Sequence, residues 1–123
     1  MSPAEIEAWA SAYVEYYRQP NRADDDPLWW AIERFMPRDA DPEDCWCAIL
    51  EILSRHPSGD VIAVLAAGPL EDILVRHGPR FIDRIEQLSK EDPAFRDLLG
   101  GVWQNSMTSE IWKRVVSARG APW

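Results

Sequence analysis

The chain has little of what chemistry usually needs. It carries two histidines, His56 and His77, and two cysteines, Cys45 and Cys47, in 123 residues. That leaves few ligands for a metal and no cysteine pattern for a disulfide framework. On a helix, residues two apart point about 200° away from each other, so Cys45 and Cys47 neither bridge nor chelate one ion. Two reduced thiols are expected, at least one of them buried. There is no His-Glu-x-x-His, no paired Cys-x-x-Cys, no phosphate-cradling glycine loop and no nucleophile elbow. Asp24-Asp25-Asp26 lacks the alternation and the distal glutamate of a calcium loop. The reading is no metal, no cofactor and no assigned catalytic residue.

Long apolar runs are missing as well. Nothing approaches the roughly 18 apolar residues that span a bilayer, and the start, MSPAEIEAWA, lacks the basic-then-apolar order of a signal peptide. The expectation is a soluble, cytoplasmic protein with no membrane partner. Positive charge is scarce: 13 Lys+Arg stand against 21 Asp+Glu, for a net charge of −8. Residues 1–60 hold 13 acidic and 5 basic side chains, and residues 61–123 hold 8 of each, so all the net acidity lies in the first half. Asp24, Asp25, Asp26, Asp39, Asp41, Glu43 and Asp44 concentrate it. A nucleic acid partner is excluded for want of a cationic face, and a basic protein partner fits better.

What is plentiful is proline, with ten residues, and tryptophan, with seven. Pro3, Pro27, Pro42, Pro69, Pro79 and Pro93 each follow Ser, Asp or Gly and open an apolar segment of helical period, as proline at a first helical position can. Pro20, Pro37, Pro57 and Pro122 follow helical stretches and stop them. The first helix is predicted from about Pro3 to Arg18, with Ser2 and Glu5 as a capping box and Ile6, Trp9, Ala10, Tyr13 and Tyr17 as its apolar stripe. A second helix begins at Asp26-Pro27 and buries Leu28, Ile32, Phe35 and Met36, with Trp29 or Trp30 at its edge. A third begins at Asp41-Pro42 and buries Trp46, Ile49, Leu50 and Leu53.

Residues 61–67 are apolar all round and predict a central buried helix capped by Gly68. Gly68-Pro69 and Gly78-Pro79 predict two helix-to-helix breaks ten residues apart. The segments after them bury Leu70, Ile73 and Leu74, then Phe81, Ile82, Ile85 and Leu88. Asp92-Pro93 opens a helix with Phe95, Leu98, Leu99, Val102 and Trp103 in phase, interrupted at Gly100-Gly101 by a kink or a site of close helix packing. The last helix, capped by Ser106 or Thr108, buries Ile111, Trp112, Val115 and Val116, and residues 118–123 are read as a frayed tail. At this length one domain is expected. The fold class is all-α: a compact single-domain bundle of seven to eight short helices, irregular and orthogonal or built of stacked helical hairpins.

The stretch LAAGPLEDILVRHGPRFIDRIEQL, with LLGGVW after it, resembles an uncharacterised bacterial protein family with just such a core, over roughly residues 60–115. The resemblance implies a small bacterial all-helical domain of unknown function. It implies no assigned activity and hands over no site residues.

Within that stretch Glu71, Asp72, Arg76 and His77 are the polar groups that best suit a ligand or partner. A carboxylate and an imidazole near one helix suit acid–base work, since histidine titrates near neutrality. Spacing offers a plainer account: Asp72 and Arg76 form an i, i+4 surface pair, and His77 suits a helix C-terminus. Glu51/Arg55, Glu86/Lys90 and Glu110/Arg114 repeat that spacing as ordinary solvated faces. Elsewhere, Trp29, Trp30 and Trp123 beside Asp24, Asp25 and Asp26 suggest an acidic–aromatic docking surface.

Two readings follow. One is a small acidic interaction module that docks a basic protein through its N-terminal half, an immunity or antitoxin-like role being one instance by analogy. The other is a small-ligand protein or cofactor-free enzyme using Glu71, Asp72, Arg76 and His77. Homodimerisation through a leftover apolar face is a further option, given so many tryptophans.

Overall fold

The computed structural model describes residues 1–20, 22–23 and 25–123. It is all helical, with no strand among the described residues. The chain divides into two compact units, Met1–Val61 and Ile62–Trp123.

In the first unit, α1 (Pro3–Arg18) begins as predicted. Ser2 Oγ accepts from the Glu5 N–H at 3.2 Å, and Glu5 Oε1 accepts from the Ser2 N–H at 3.0 Å. The helix packs on α3 (Pro42–Ser54) and on a four-residue turn of helix, α2 (Trp30–Glu33). Burial on two sides widens its apolar face beyond one stripe. Ala12, Val14 and Tyr16 are buried along with Ile6, Trp9, Ala10 and Tyr13, and Tyr17 is half-buried. Asp41 Oδ1 accepts from the Glu43 N–H at 2.9 Å and starts α3, whose buried face is Cys45, Trp46, Ala48, Ile49, Ile52 and Leu53. Cys45 is buried and Cys47 exposed, and both are free thiols.

Residues 25–29 depart from the expected second helix. Asp26 Oδ1 accepts from the Leu28 N–H at 2.8 Å, an Asx-type turn that competes with helix at this point. Helix therefore starts only at Trp30, and Met36 ends up 50% exposed instead of buried.

Helix α4 (Gly59–Leu65) carries the chain from one unit into the other. It is not the buried centre its composition suggests: Val61 and Leu65 are buried, while Ala63, Val64 and Ala67 are exposed. Gly68-Pro69 does not end a helix, whereas two helical segments meet at a kink just before Gly78-Pro79, and no glycine has positive φ. Residues Ala66–Leu70 form a π-helical segment, in which the Glu71 N–H reaches back five residues to the Ala66 carbonyl. Proline inside a helix lacks its N–H and collides with the carbonyl four residues back, and the wider π turn removes that collision.

The next helix, α5 (Glu71–Glu91), absorbs Pro79 by a kink at His77, whose φ of −137° and ψ of 30° are non-helical. Gly78 serves close packing: a Cβ there would lie 3.1 Å from Ile111 Cγ1 of α7 (Ser109–Ala118). Helix α6 (Pro93–Leu99), capped by Asp92, completes the second unit around buried Phe81, Ile82, Ile85, Phe95, Leu98, Leu99 and Val115. Trp103 and Val116, predicted inward, are 75% and 41% exposed. Arg114 pairs across to α5 and not with Glu110 as i, i+4 spacing suggests. Its Nε donates to Glu86 Oε2 at 2.9 Å, and its Nη2 donates to Glu86 Oε1 and to Asp83 Oδ1 at 2.6 Å. This clamp holds the Glu86 carboxyl below the usual carboxylate range.

The C-terminal tail is docked, contrary to the expected fraying. Trp123 Nε1 donates to the Asp97 carbonyl at 2.8 Å, and its main-chain N–H to the Gly100 carbonyl at 3.2 Å. The indole lies on Gly101, where a Cβ would come within 2.5 Å of the ring. The close contact at Gly100-Gly101 is thus with the tail tryptophan and not with a neighbouring helix. Gly101→Ala should displace this tail, yet cost little in a Trp123→Ala background. Denaturant unfolding of the two single variants and the double variant should give a coupling energy of about 0.5–3 kcal/mol.

Candidate functional site

The four residues of the predicted quartet share α5 but differ in burial and partners. Glu71 is buried, and both of its oxygens are engaged. Oε1 accepts from the Trp103 main-chain N–H at 3.0 Å, and Oε2 accepts from Asn105 Nδ2 at 3.1 Å. Asn105 has a φ of 48°, a left-handed conformation that asparagine tolerates better than most residues. The carboxylate therefore pins the loop between α6 and α7. Asp72 is half-buried, and burial raises its carboxyl above the usual range against the opposing pull of Arg76. Arg76 is exposed, and His77 is half-buried at the kink. The four share a helix without converging on any of the three grooves described below.

The acidic–aromatic residues are also redistributed. Asp24 lies outside the described residues. Asp25 is exposed, and Asp26 is committed to its turn. Trp29 is half-buried with its ring 5.7 Å from Tyr16. Trp123 sits on Gly101 in the second unit.

Trp30 alone of these tryptophans lines a groove of the first unit, about 520 Å³ in volume. Trp9 and Trp30 form its aromatic part, Glu33, Asp39 and Asp41 its acidic part, and Arg34 and Cys45 lie between. Trp9 is fixed from below, because its Nε1 donates to the Ala31 carbonyl at 2.8 Å and its ring lies 4.5 Å from Phe35. Arg34 lies over Trp30 at 4.7 Å and over Trp9 at 5.6 Å. The Met1 amine, at the same groove, pairs with Asp44 at 3.2 Å, which raises its pKa. Sequence reasoning missed Glu33, Arg34 and Asp39 as neighbours of Trp30. A signal existed: Trp30, Glu33 and Arg34 stand at i, i+3 and i+4 on one helical face.

Two grooves lie in the second unit. One, about 290 Å³, joins Glu86, Ser89, Lys90 and Arg96 to Ser117 and Ala118. In it the hydroxyl of Ser89, 1% exposed, makes no hydrogen bond among the described residues. The other, about 480 Å³, lies between Trp103, Trp112 and Trp123 over Gly100 and Gly101, with Arg119 over the Trp112 ring at 5.1 Å. Among the described residues no group of three or more His, Cys, Asp or Glu side chains is placed to hold a metal ion, and no helix is long and apolar enough to cross a membrane.

An all-helical fold with an acidic, tryptophan-lined groove defines a class by architecture alone. The chain belongs to a family of unknown function (DUF6869), whose model matches residues 18–122. No curated protein and no solved structure matches it.

Two predictions follow from the quartet. Glu71→Ala should destabilise the protein by about 2–4 kcal/mol, since two charge-assisted hydrogen bonds of a buried group are lost. Glu71→Gln, which keeps an acceptor for Trp103, should cost less, as thermal or urea unfolding would show. The raised pKa of Asp72 means that its ionised form is disfavoured in the folded state. Its destabilising effect is fully present above the folded pKa and disappears as pH falls through that value to the unfolded one. Asp72→Asn should therefore raise Tm at neutral pH, and the gain should vanish in acid.

Proposed function

We propose that the protein is a binding module that docks a basic protein partner through the groove of its first unit. The observation that carries this reading is the pairing of an exposed tryptophan with unneutralised acidity. Trp30 is 37% exposed beside Glu33, Asp39 and Asp41, in a half of the chain that holds the entire net charge of −8. Aromatic anchors within a polar rim mark protein-docking patches, and the field of an acidic face steers cationic partners toward it. The commitment of both Glu71 oxygens to the loop at Trp103 and Asn105 weighs against an enzymatic use of that region. A bacterial, cytoplasmic setting belongs to the same proposal, supported by the resemblance of the core stretch and by two unbridged cysteines.

The test is a peptide array of basic, neutral and acidic sequences, probed at low and moderate salt with the parent and with a Glu33→Lys/Asp39→Lys/Asp41→Lys variant. Basic peptides should be retained by the parent, weaken with salt, and bind the variant at least about tenfold more weakly, a change of about 1.4 kcal/mol. Equal binding of parent and variant would show that this face is not the docking site.

A further inference from the structure

The groove already contains a guanidinium. Arg34 is exposed, yet its head group lies over the Trp30 ring at 4.7 Å and within 5.6 Å of the Trp9 ring. It does so in the company of Glu33, Asp39 and Asp41, with none of which it forms an ion pair among the described residues. Asp41 is partly occupied, since its Oδ1 caps α3. The side-chain carboxylates of Glu33 and Asp39 make no hydrogen bond or ion pair among the described residues, and both exposed residues line the groove. A flat aromatic surface beside unused carboxylates is the environment a guanidinium prefers. It stacks its weakly hydrated face on an indole while its fork of donors meets carboxylate oxygens in its own plane. Arg34 makes the first of these contacts and not the second.

We infer that the groove is an arginine-reading site, in which an arginine of the partner replaces Arg34 over Trp30 and donates to Glu33 and Asp39. This inference rests on the docking reading and names the side chain that the docking would recognise. Arg34 is then an internal competitor. Its exposed side chain lies over the rings by cation–π contact, and a change of rotamer takes it off Trp30. A lysine would suit the site less, because a compact, strongly hydrated ammonium neither stacks flat on the face of the ring nor bridges two carboxylates as a fork. A neutral or acidic peptide would meet Glu33, Asp39 and Asp41 with nothing to offset their charge.

Calorimetric titration with two capped peptides of equal length and charge, one carrying arginines and the other lysines at the same positions, tests this. The arginine peptide should bind the parent about tenfold more tightly than the lysine peptide. Arg34→Ala, an exposed substitution, should strengthen arginine binding a few-fold by removing the competitor. Trp30→Ala should abolish the preference, and Trp30→Leu, which keeps apolar bulk, should abolish it too if stacking is the cause. Circular dichroism of each variant reports that the fold is retained. Equal, salt-sensitive binding of the two peptides would overturn arginine reading and leave acidic docking standing. A preference unchanged in both Trp30 variants would do the same. Absence of binding by either peptide to both the parent and Arg34→Ala would overturn the docking reading as well.

Discussion

One buried hydrogen bond holds the first unit in working order: the indole N–H of Trp9 to the Ala31 carbonyl, 2.8 Å. Helix α2 is four residues long, far below the length at which a helix persists by itself. What keeps it formed is its attachment to α1. Trp9 is 1% exposed, Ala31 0%, and Phe35 closes the contact, with its ring 4.5 Å from Trp9 and edge-on to Tyr13 at 5.6 Å. An indole buried this deeply needs a partner for its nitrogen, and a carbonyl at the end of so short a helix needs a donor. Each supplies the other. Trp30 and Glu33 belong to the helix so anchored and Arg34 caps it, so the placement of the groove depends on that bond.

The second unit uses a parallel device with a carboxylate in place of an indole. The loop between α6 and α7 has little regular structure, yet Glu71 gathers it by accepting from the Trp103 main chain and the Asn105 side chain. The glycines at the end of α6 then let Trp123 lie against the backbone, and the Arg114 clamp ties α7 to α5 through Glu86 and Asp83. Polar groups, each satisfied, thus set the positions of segments that apolar packing alone would leave interchangeable.

The legible part of the sequence was its local chemistry. Ser2 with Glu5, Asp41 before Pro42, Asp92 before Pro93 and Thr108 each mark a helix start, because a cap is a contact between near neighbours. The Gly-Pro pairs were legible only in part, Gly78-Pro79 as a kink and Gly68-Pro69 not at all, because the same dipeptide serves a stop or a distortion. Which one forms depends on whether apolar residues on both sides, Leu65 with Leu70 and Leu74 with Phe81, must continue along one buried face. Trp103 and Met36 lie beyond element ends, where the chain turns away and periodicity loses its meaning, while Val116, inside α7, follows half-buried Trp112 on the edge of the Ile111–Val115 stripe. Of the candidate sites, the acidity of the first half and Trp30 were readable. Glu71's engagement with Asn105, 34 positions away, and the approach of Asp39 and Asp41 to Trp30 were not, since they depend on packing between elements.

The measurement that bears most directly on this account is hydrogen exchange of Trp9→Phe, which keeps an aromatic ring in the core and removes only the indole donor. Loss of that bond leaves the Ala31 carbonyl buried without a partner, a cost of about 1–3 kcal/mol. The account predicts that amides of residues 30–36 exchange much faster while those of α1 and α3 stay protected, and that binding of the arginine peptide is lost with them. Unchanged protection of residues 30–36, with binding intact, would contradict the claim that the Trp9–Ala31 bond builds the groove.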